Sequence, residues 1–396
     1  MADEFTEITN ISWGQKIASS FTGIIFGLIF FVAAFFLLTW NEGRSVHRIR
    51  TLDEGQNSVI AVSPDRVDPN NNGKLIYFSA QATTNDVLSD AMFGVHENAL
   101  KLGRVVEMYQ WKESSTTRSQ KNLGGSTTQV TTVSYTKEWS DKPINSSGFK
   151  HPEDHQNPTS MPYQSQLFTA ENISIGAFKP SSAYVGQMNA FVPYPLTDQA
   201  VAGMSDQLKG YFKLYGTDYY YGDPANPQIG AFHVHYNIIR PMILSVIGKQ
   251  NNASLEPYST RNGSIQLLEA GTVGADDMFS DAKTSNSFIT WLVRFGGFFL
   301  MWLGARLVFG PIAALGDVVP FIGNLLGAGI GLITGIASLV LSTITIAIAW
   351  IFYRPLIGGG LIIFAAILLF GGVRFFRKAK SGLKANLAQS TLSSPG

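Results

Sequence analysis

Two short histidine patterns are the first places in this sequence where side-chain type and spacing suggest chemistry. His151 and His155 flank Glu153 and Asp154 in the word HPEDH, a composition that supplies metal-ligand types. The zinc-protease pattern HExxH needs a helix to bring both imidazoles and the glutamate onto one face. Here Pro152 displaces the glutamate and breaks the helix, so HPEDH reads as a solvated loop. His233 and His235 alternate with Phe232, Val234 and Tyr236. On a strand that alternation sends the apolar residues to a core and leaves the histidines on the polar face, as a surface pair.

The remaining inventory argues against an enzyme. There is no phosphate-binding Walker loop, no GxSxG elbow and no GxGxxG turn between a strand and a helix. Asp276 and Asp277 are adjacent carboxylates of a kind common on surfaces. The chain has no cysteine, which excludes disulfides, thiolate catalysis and cysteine-bound metals. The expectation is no catalytic residue, no cofactor and no metal. A net charge of +1 points to no nucleic-acid partner. Charged residues make up only 14 % of the 396, against roughly 25 % in soluble domains, so apolar residues must be gathered in blocks.

Those blocks are membrane spans. Residues 1–16 form a tail, and Ile17 to Trp40 contains no charge. At 1.5 Å per residue that run covers a hydrocarbon core of about 30 Å. It is too long for the apolar region of a signal peptide and lacks a small-residue cleavage site. A second span covers 288–309, with Arg294 and Arg306 near enough to its ends to snorkel. Residues 310–324, with Pro311, Asp317 and Pro320, form a turn or interfacial segment. The uncharged run from Val318 to Tyr353 is about 36 residues, too long for one simple span, so the third span is placed at 325–353. Trp40 marks the first interface; Trp350, Tyr353 and Arg354 mark another, and Pro355 stops the helix. A fourth span follows at 356–373, then a basic tail at 374–396. Four spans put both termini on one side, and the basic tail makes that side cytoplasmic. Arg44, Arg48 and Arg50 argue the other way, but long domains cross largely regardless of such charges. The large domain is therefore expected outside the cytoplasm.

Gly323, Gly327, Gly331 and Gly335 recur every four residues and lie along one helical stripe, where small residues let backbones approach closely in lipid. Residues 41–287 hold most of the charge and the strand-like alternation. Val133, Tyr135 and Trp139 share one face of VSYTKEW. Strands are expected at 74–83, 104–111, 210–221 and 228–239, a short helix within 86–102, and a long loop at 142–162. The fold class is thus a four-span α-helical membrane protein with a large, mainly-β (α+β) extramembrane domain.

The words NEGR, SDAMFGVHENALKLGRVVEMYQW, SYTKEWSD, INSSGF with HQNP, and TITIAIAWIFYRPL stand in an order that resembles the LUMA family (transmembrane protein 43). The matching positions include Glu107, Tyr109 and Trp111, Tyr135 and Trp139, His155 to Pro158, and Trp350 to Pro355. The resemblance implies four spans, cytoplasmic termini and a lumenal or extracytoplasmic domain. In animals such proteins belong to the endoplasmic reticulum and inner nuclear membrane, where they self-associate and contact nuclear-envelope proteins. It brings no enzymatic activity with it. His151 lies outside the pattern. The absence of cysteine suits a bacterial origin, in which case the location would be the bacterial cytoplasmic membrane.

The leading functional expectation is a non-enzymatic membrane scaffold that self-associates and organises an envelope or lipid assembly, with lipids, its own copies and other membrane proteins as partners. The alternative is a channel or transporter-like conduit, for which Asn324, Thr334, Ser338, Ser342, Thr343 and Thr345 would be the lining candidates. A membrane-bound hydrolase using the loop around His155 is a third reading.

Overall fold

In the computed structural model, residues 3–355 together with residues 360 and 363 are described. Four helices are built largely from the apolar blocks: α1 (Trp13–Gln56), α2 (Ala275–Val308), α3 (Gly310–Gly316) and α4 (Pro320–Tyr353). Of these, α1, α2 and α4 are long and apolar enough to cross a membrane. The expected fourth span at 356–373 and the basic tail at 374–396 fall outside the described residues, apart from residues 360 and 363. Within 310–324 the chain forms α3 and the first turn of α4, whose N-terminus is set by Pro320 in its first turn. Helix α1 continues to Gln56, well past Trp40.

The chain divides into two units, one of residues 1–12 and 49–285, the other of residues 13–48 and 286–396. The first is mainly β. Its larger sheet has eight strands, β1 (Asp3–Ile11), β2 (Lys101–Lys121), β3 (Thr127–Ser140), β4 (Gln166–Thr169), β5 (Val192–Tyr194), β6 (Phe212–Tyr215), β7 (Asp218–Tyr221) and β8 (Phe232–Ile239). The order is β1-β3-β2-β8-β7-β6, with β5 on β8 and β4 on β2, and every pairing is antiparallel. A seven-stranded sheet is centred on Leu75–Thr84 and Met242–Asn251. Phe78, Ile175, Phe178, Leu102, Val106, Met108, Val234 and Tyr236, drawn from both sheets, share one buried apolar core.

The strand period decides which residues reach that core. On β8 Phe232, Val234, Tyr236 and Ile238 are buried while His233, His235 and Asn237 are half-exposed. A charged group also enters the core. Arg104 donates to Asp90 at 2.5 Å and to the Gln164 carbonyl at 3.0 Å, and Tyr236 donates to the same carboxylate at 2.6 Å. With each polar group partnered, burial is tolerated, and that burial pushes the Tyr236 hydroxyl well above the ordinary tyrosine range. The helix expected within 86–102 is absent. Val87–Asp90 and Val95–Asn98 form a two-stranded hairpin instead, turning through Gly94 at φ +70°. A Cβ at Gly94 would collide with the backbone of Ala200 and Gly203, so only glycine fits.

In the membrane unit α1 and α2 cross backbone to backbone. A Cβ on Gly27 would lie 2.7 Å from the Gly304 carbonyl oxygen, and one on Gly304 would lie 2.7 Å from the Gly27 carbonyl oxygen. In lipid, where apolar burial drives little association, this backbone approach supplies the packing. Gly304→Leu should therefore break the helix bundle, read as a fall in thermal stability in detergent, whereas Gly329→Ala, with open space around it among the described residues, should leave the melt unchanged.

Candidate functional site

The family words EMYQW and SYTKEW pair directly, because Tyr109 lies opposite Trp139 and Trp111 opposite Lys137. His233 lies opposite Glu107 on the other side of β2, and Tyr220 lies opposite His233. Antiparallel pairs share a face, so Glu107, Tyr109, Trp111, Tyr135, Trp139, Tyr220, His233 and His235 all stand on one face of the larger sheet, opposite the core. Two clusters occupy this band.

The first is sealed by the loop at 142–162. Asn157 clamps the free edge of β2, its Oδ1 accepting from the Trp111 amide at 2.7 Å and its Nδ2 donating to the Trp111 carbonyl at 2.9 Å. Gln110 holds the loop's other limb, accepting from the Ile144 amide at 2.7 Å and donating to the Lys142 carbonyl at 2.9 Å. These contacts set His155 flat on Tyr135, with ring centroids 3.7 Å apart and edge-on to Trp111. His155 is 1 % exposed, so it is a buried residue and not part of a solvated loop. Its Nδ1 lies 2.9 Å from the His151 carbonyl oxygen. Tyr135 donates to Glu113 at 2.5 Å, and burial first, then this carboxylate, push its hydroxyl above the usual range. A cleft beside it is lined by Pro152, Gln156, Asn157 and Pro158, and His155 itself is not part of that lining. Pro158 ends the HQNP word against Gly230.

The second cluster is open. His233 Nδ1 lies 2.9 Å from Glu107 Oε2 and its Nε2 lies 2.9 Å from Asp218 Oδ2. Tyr220 stacks on the His233 ring at 4.6 Å and 12°, and Trp139 meets it at 5.7 Å. The His235 ring is 4.9 Å from that of His233, and His235 Nδ1 is buried with no hydrogen-bond partner. The pair is thus built into a network and is not a bare surface pair. Glu107, His233 and His235 offer donor atoms within 4.8 Å of one another, the one such group of three among the described residues. No periodicity signals Glu107 and Asp218 as neighbours of His233; only strand pairing brings them together.

The membrane unit holds a third polar constellation, built on the NEGR word. Arg294 Nε and Nη2 donate to Glu42 at 2.6 and 2.8 Å, and Trp350 Nε1 donates to Glu42 Oε2 at 2.6 Å. The guanidinium also lies over the rings of Trp291 and Trp350, at 4.8 and 5.4 Å. Arg294 is therefore paired within the bundle, and Trp350 is bonded to the same carboxylate. Next to it Arg44 donates to Asn286, Thr290 and Asn41, and Asn41 donates to the Thr290 carbonyl. Trp40 is exposed, Tyr353 packs against Gly43 and edge-on to His47, and Arg354 closes α4.

The glycine stripe divides. Gly323 packs on Asp317 and Gly335 on the Trp302 indole, whose Nε1 donates to the Gly331 carbonyl at 2.9 Å, while a Cβ at Gly327 or Gly331 would meet open space. Of the lining candidates, Thr334, Ser342, Thr343 and Thr345 donate to carbonyls one turn back in α4, and Asn324 is exposed.

Glu42→Gln leaves Arg294 buried against an uncharged partner and should lower stability by about 3–5 kcal/mol, read by thermal unfolding in detergent. Trp350→Phe removes one bond to a charged group and should cost about 1.5–3 kcal/mol. A pH effect belongs to His235. Burial first, then the neighbouring His233, lower its pKa below the unfolded value of about 6.5, against weaker raising by Glu107 and Asp218. The unfolded chain then takes up this proton first. Domain stability should be full above about pH 6.5 and decline as pH falls below it, and His235→Gln should flatten that segment of the curve.

Comparison with known proteins fits this architecture. The family described as Transmembrane protein 43 matches over residues 108–355, the stretch from β2 through α4. The human Transmembrane protein 43 is 31 % identical over 356 residues, covering 86 % of this chain and 87 % of its own. The rat protein of the same name is 30 % identical over the same shares, and a Drosophila melanogaster homolog is 27 % identical over 90 % of this chain and 95 % of its own. No solved structure matches. The chain is a membrane protein belonging to the Transmembrane protein 43 family.

Proposed function

We propose that this chain is a non-enzymatic membrane scaffold that self-associates through α4 and organises a membrane or envelope assembly, with its β-rich domain outside the cytoplasm. The observation that carries this reading is the middle of the glycine stripe. Among the described residues, Gly327 and Gly331 have no atom within 4 Å of where a Cβ would stand, and they line a cleft of about 500 Å³ with Phe298, Trp302, Leu332 and Leu339. Gly323 and Gly335 are used within the chain; Gly327 and Gly331, uncovered among the described residues, suit contact with the helix of a second copy, as small residues in lipid often do. The hydroxyls on α4 bonded to their own helix supply little for a conduit.

Crosslinking of the full chain in native membranes and in nanodiscs tests the reading. Wild type should give discrete homo-oligomers, and Gly327→Leu with Gly331→Leu should shift them to monomer with the melt of the monomer unchanged. A wild-type chain that is monomeric in both settings overturns it.

A further inference from the structure

We propose that Glu107, His233 and His235 form a binding site for a zinc(II)-class divalent cation on the solvent-side face of the larger sheet. It concerns the β-rich domain alone and stands or falls independently of the scaffold reading.

The donor set selects the metal class. Two imidazole nitrogens and one carboxylate oxygen suit borderline first-row ions, whereas calcium and magnesium take oxygen shells. The geometry is close to a formed site. The donor atoms lie within 4.8 Å of one another, and His233 Nδ1 and Glu107 Oε2 are 2.9 Å apart. Two ligands about 2.0–2.1 Å from zinc at a tetrahedral angle lie about 3.3 Å apart, so this pair needs to open by only a few tenths of an ångström. All three residues sit on two paired strands, with His233 in direct register with Glu107, and need no loop to close.

Two further observations point to a ligand and not to a plain ion pair. Asp218 Oδ2 lies 2.9 Å from His233 Nε2. With a cation on Nδ1, a carboxylate on the far nitrogen would fix the tautomer and orient the ring, the arrangement found around metal-bound histidines. His235 Nδ1 is meanwhile buried without a partner, a state polar groups avoid unless something binds them. A carboxylate–imidazole–carboxylate bridge through His233 would account for Glu107 and Asp218 but gives His235 no part. The site is also reachable, with the His233 and Glu107 side chains 15 % and 27 % exposed. Three protein ligands leave a coordination position for water or for a group from a partner. Bound there, the ion would tie β2 to β8, and through Asp218 to β7.

The test uses the full chain in nanodiscs, purified on a tag without histidines and stripped with EDTA. Zinc chloride is titrated calorimetrically, and cobalt(II) is added as a spectroscopic stand-in for zinc. Wild type should bind one zinc ion per chain with micromolar or tighter affinity and give a cobalt spectrum of nitrogen and oxygen ligation. His235→Gln and Glu107→Gln should each abolish that binding or weaken it at least about tenfold, and Asp218→Asn should weaken it about 10–100-fold. His155→Ala, in the sealed cluster, should leave it unchanged. Far-UV circular dichroism establishes that each variant is folded. Should a variant fail to fold, the wild-type melt decides: it rises with zinc and returns with EDTA if the site exists. No saturable zinc or cobalt binding and no zinc-dependent melt in the wild type overturns the proposal, and so does binding that a folded His235→Gln leaves intact.

Discussion

The membrane unit depends on one ion pair. Glu42 on α1 is 1 % exposed, and a lone carboxylate at that depth would cost far more than a packed bundle returns. Arg294 meets it with two parallel N–H donors, the geometry in which a guanidinium binds a carboxylate best, and Trp350 adds a third. Three helices are thereby held at one level by a single buried acid. Since apolar side chains gain nothing by leaving lipid for one another, directional contacts of this kind choose which helices meet and in what rotation. A second pair, Lys16 with Asp317, joins α1 to the chain just after α3. Lys16 and Glu42 are 26 positions apart, which places them about 39 Å from each other along the helix and leaves the uncharged run between them for the hydrocarbon core.

In the β-rich domain the comparable constraint is register. Glu107 opposite His233 and Trp139 opposite Tyr109 hold only for one alignment of β2 with its two neighbours. A slip of one residue would send His233 and Glu107 into the core and bring Val234 and Met108 out. The buried Asp90–Arg104–Tyr236 group guards that alignment, since Arg104 lies opposite Tyr236 in the same register and a slip would strand a charge without its partner. Core polar residues thus fix the positions of the outer-face histidines.

Much of this architecture was legible in the sequence, and the gaps have definite causes. The apolar runs gave the positions of α1, α2 and α4 because about twenty uncharged residues have few other uses. Their ends were not legible: Asn41 to Gln56 has the composition of a domain surface yet continues α1, since a polar helix beyond the membrane carries no hydropathy mark. Alternation placed β8 and the face on which His233 and His235 stand. It could not supply Glu107, 126 positions away, because strand pairing is a non-local fact. His155 was misread for the related reason that Asn157 and Gln110, not local propensity, fold its loop down onto Tyr135. The hairpin at 87–98 is not legible because nothing in the local composition of 86–102 marks Gly94, whose positive φ makes the turn.

Small residues in the membrane helices illustrate why spacing alone misassigns a contact. The regular stripe on α4 draws attention by its length, yet an equally close backbone approach stands at Gly27 against Gly304, where α1 offers only the short spacing Gly23 to Gly27 and α2 no repeat. A crossing needs one missing side chain from each helix at one level, and a long repeat adds nothing to it. A repeat is required only where two helices run alongside each other over several turns, which the α1–α2 crossing does not need and the open middle of α4 could use. The hydroxyls of α4 follow the same logic. Thr334, Ser342, Thr343 and Thr345, bonded to carbonyls one turn back, are satisfied without any neighbour, so their presence in a span signals neither a lumen nor an interface; Ser338 alone of the lining hydroxyls is buried without a partner among the described residues.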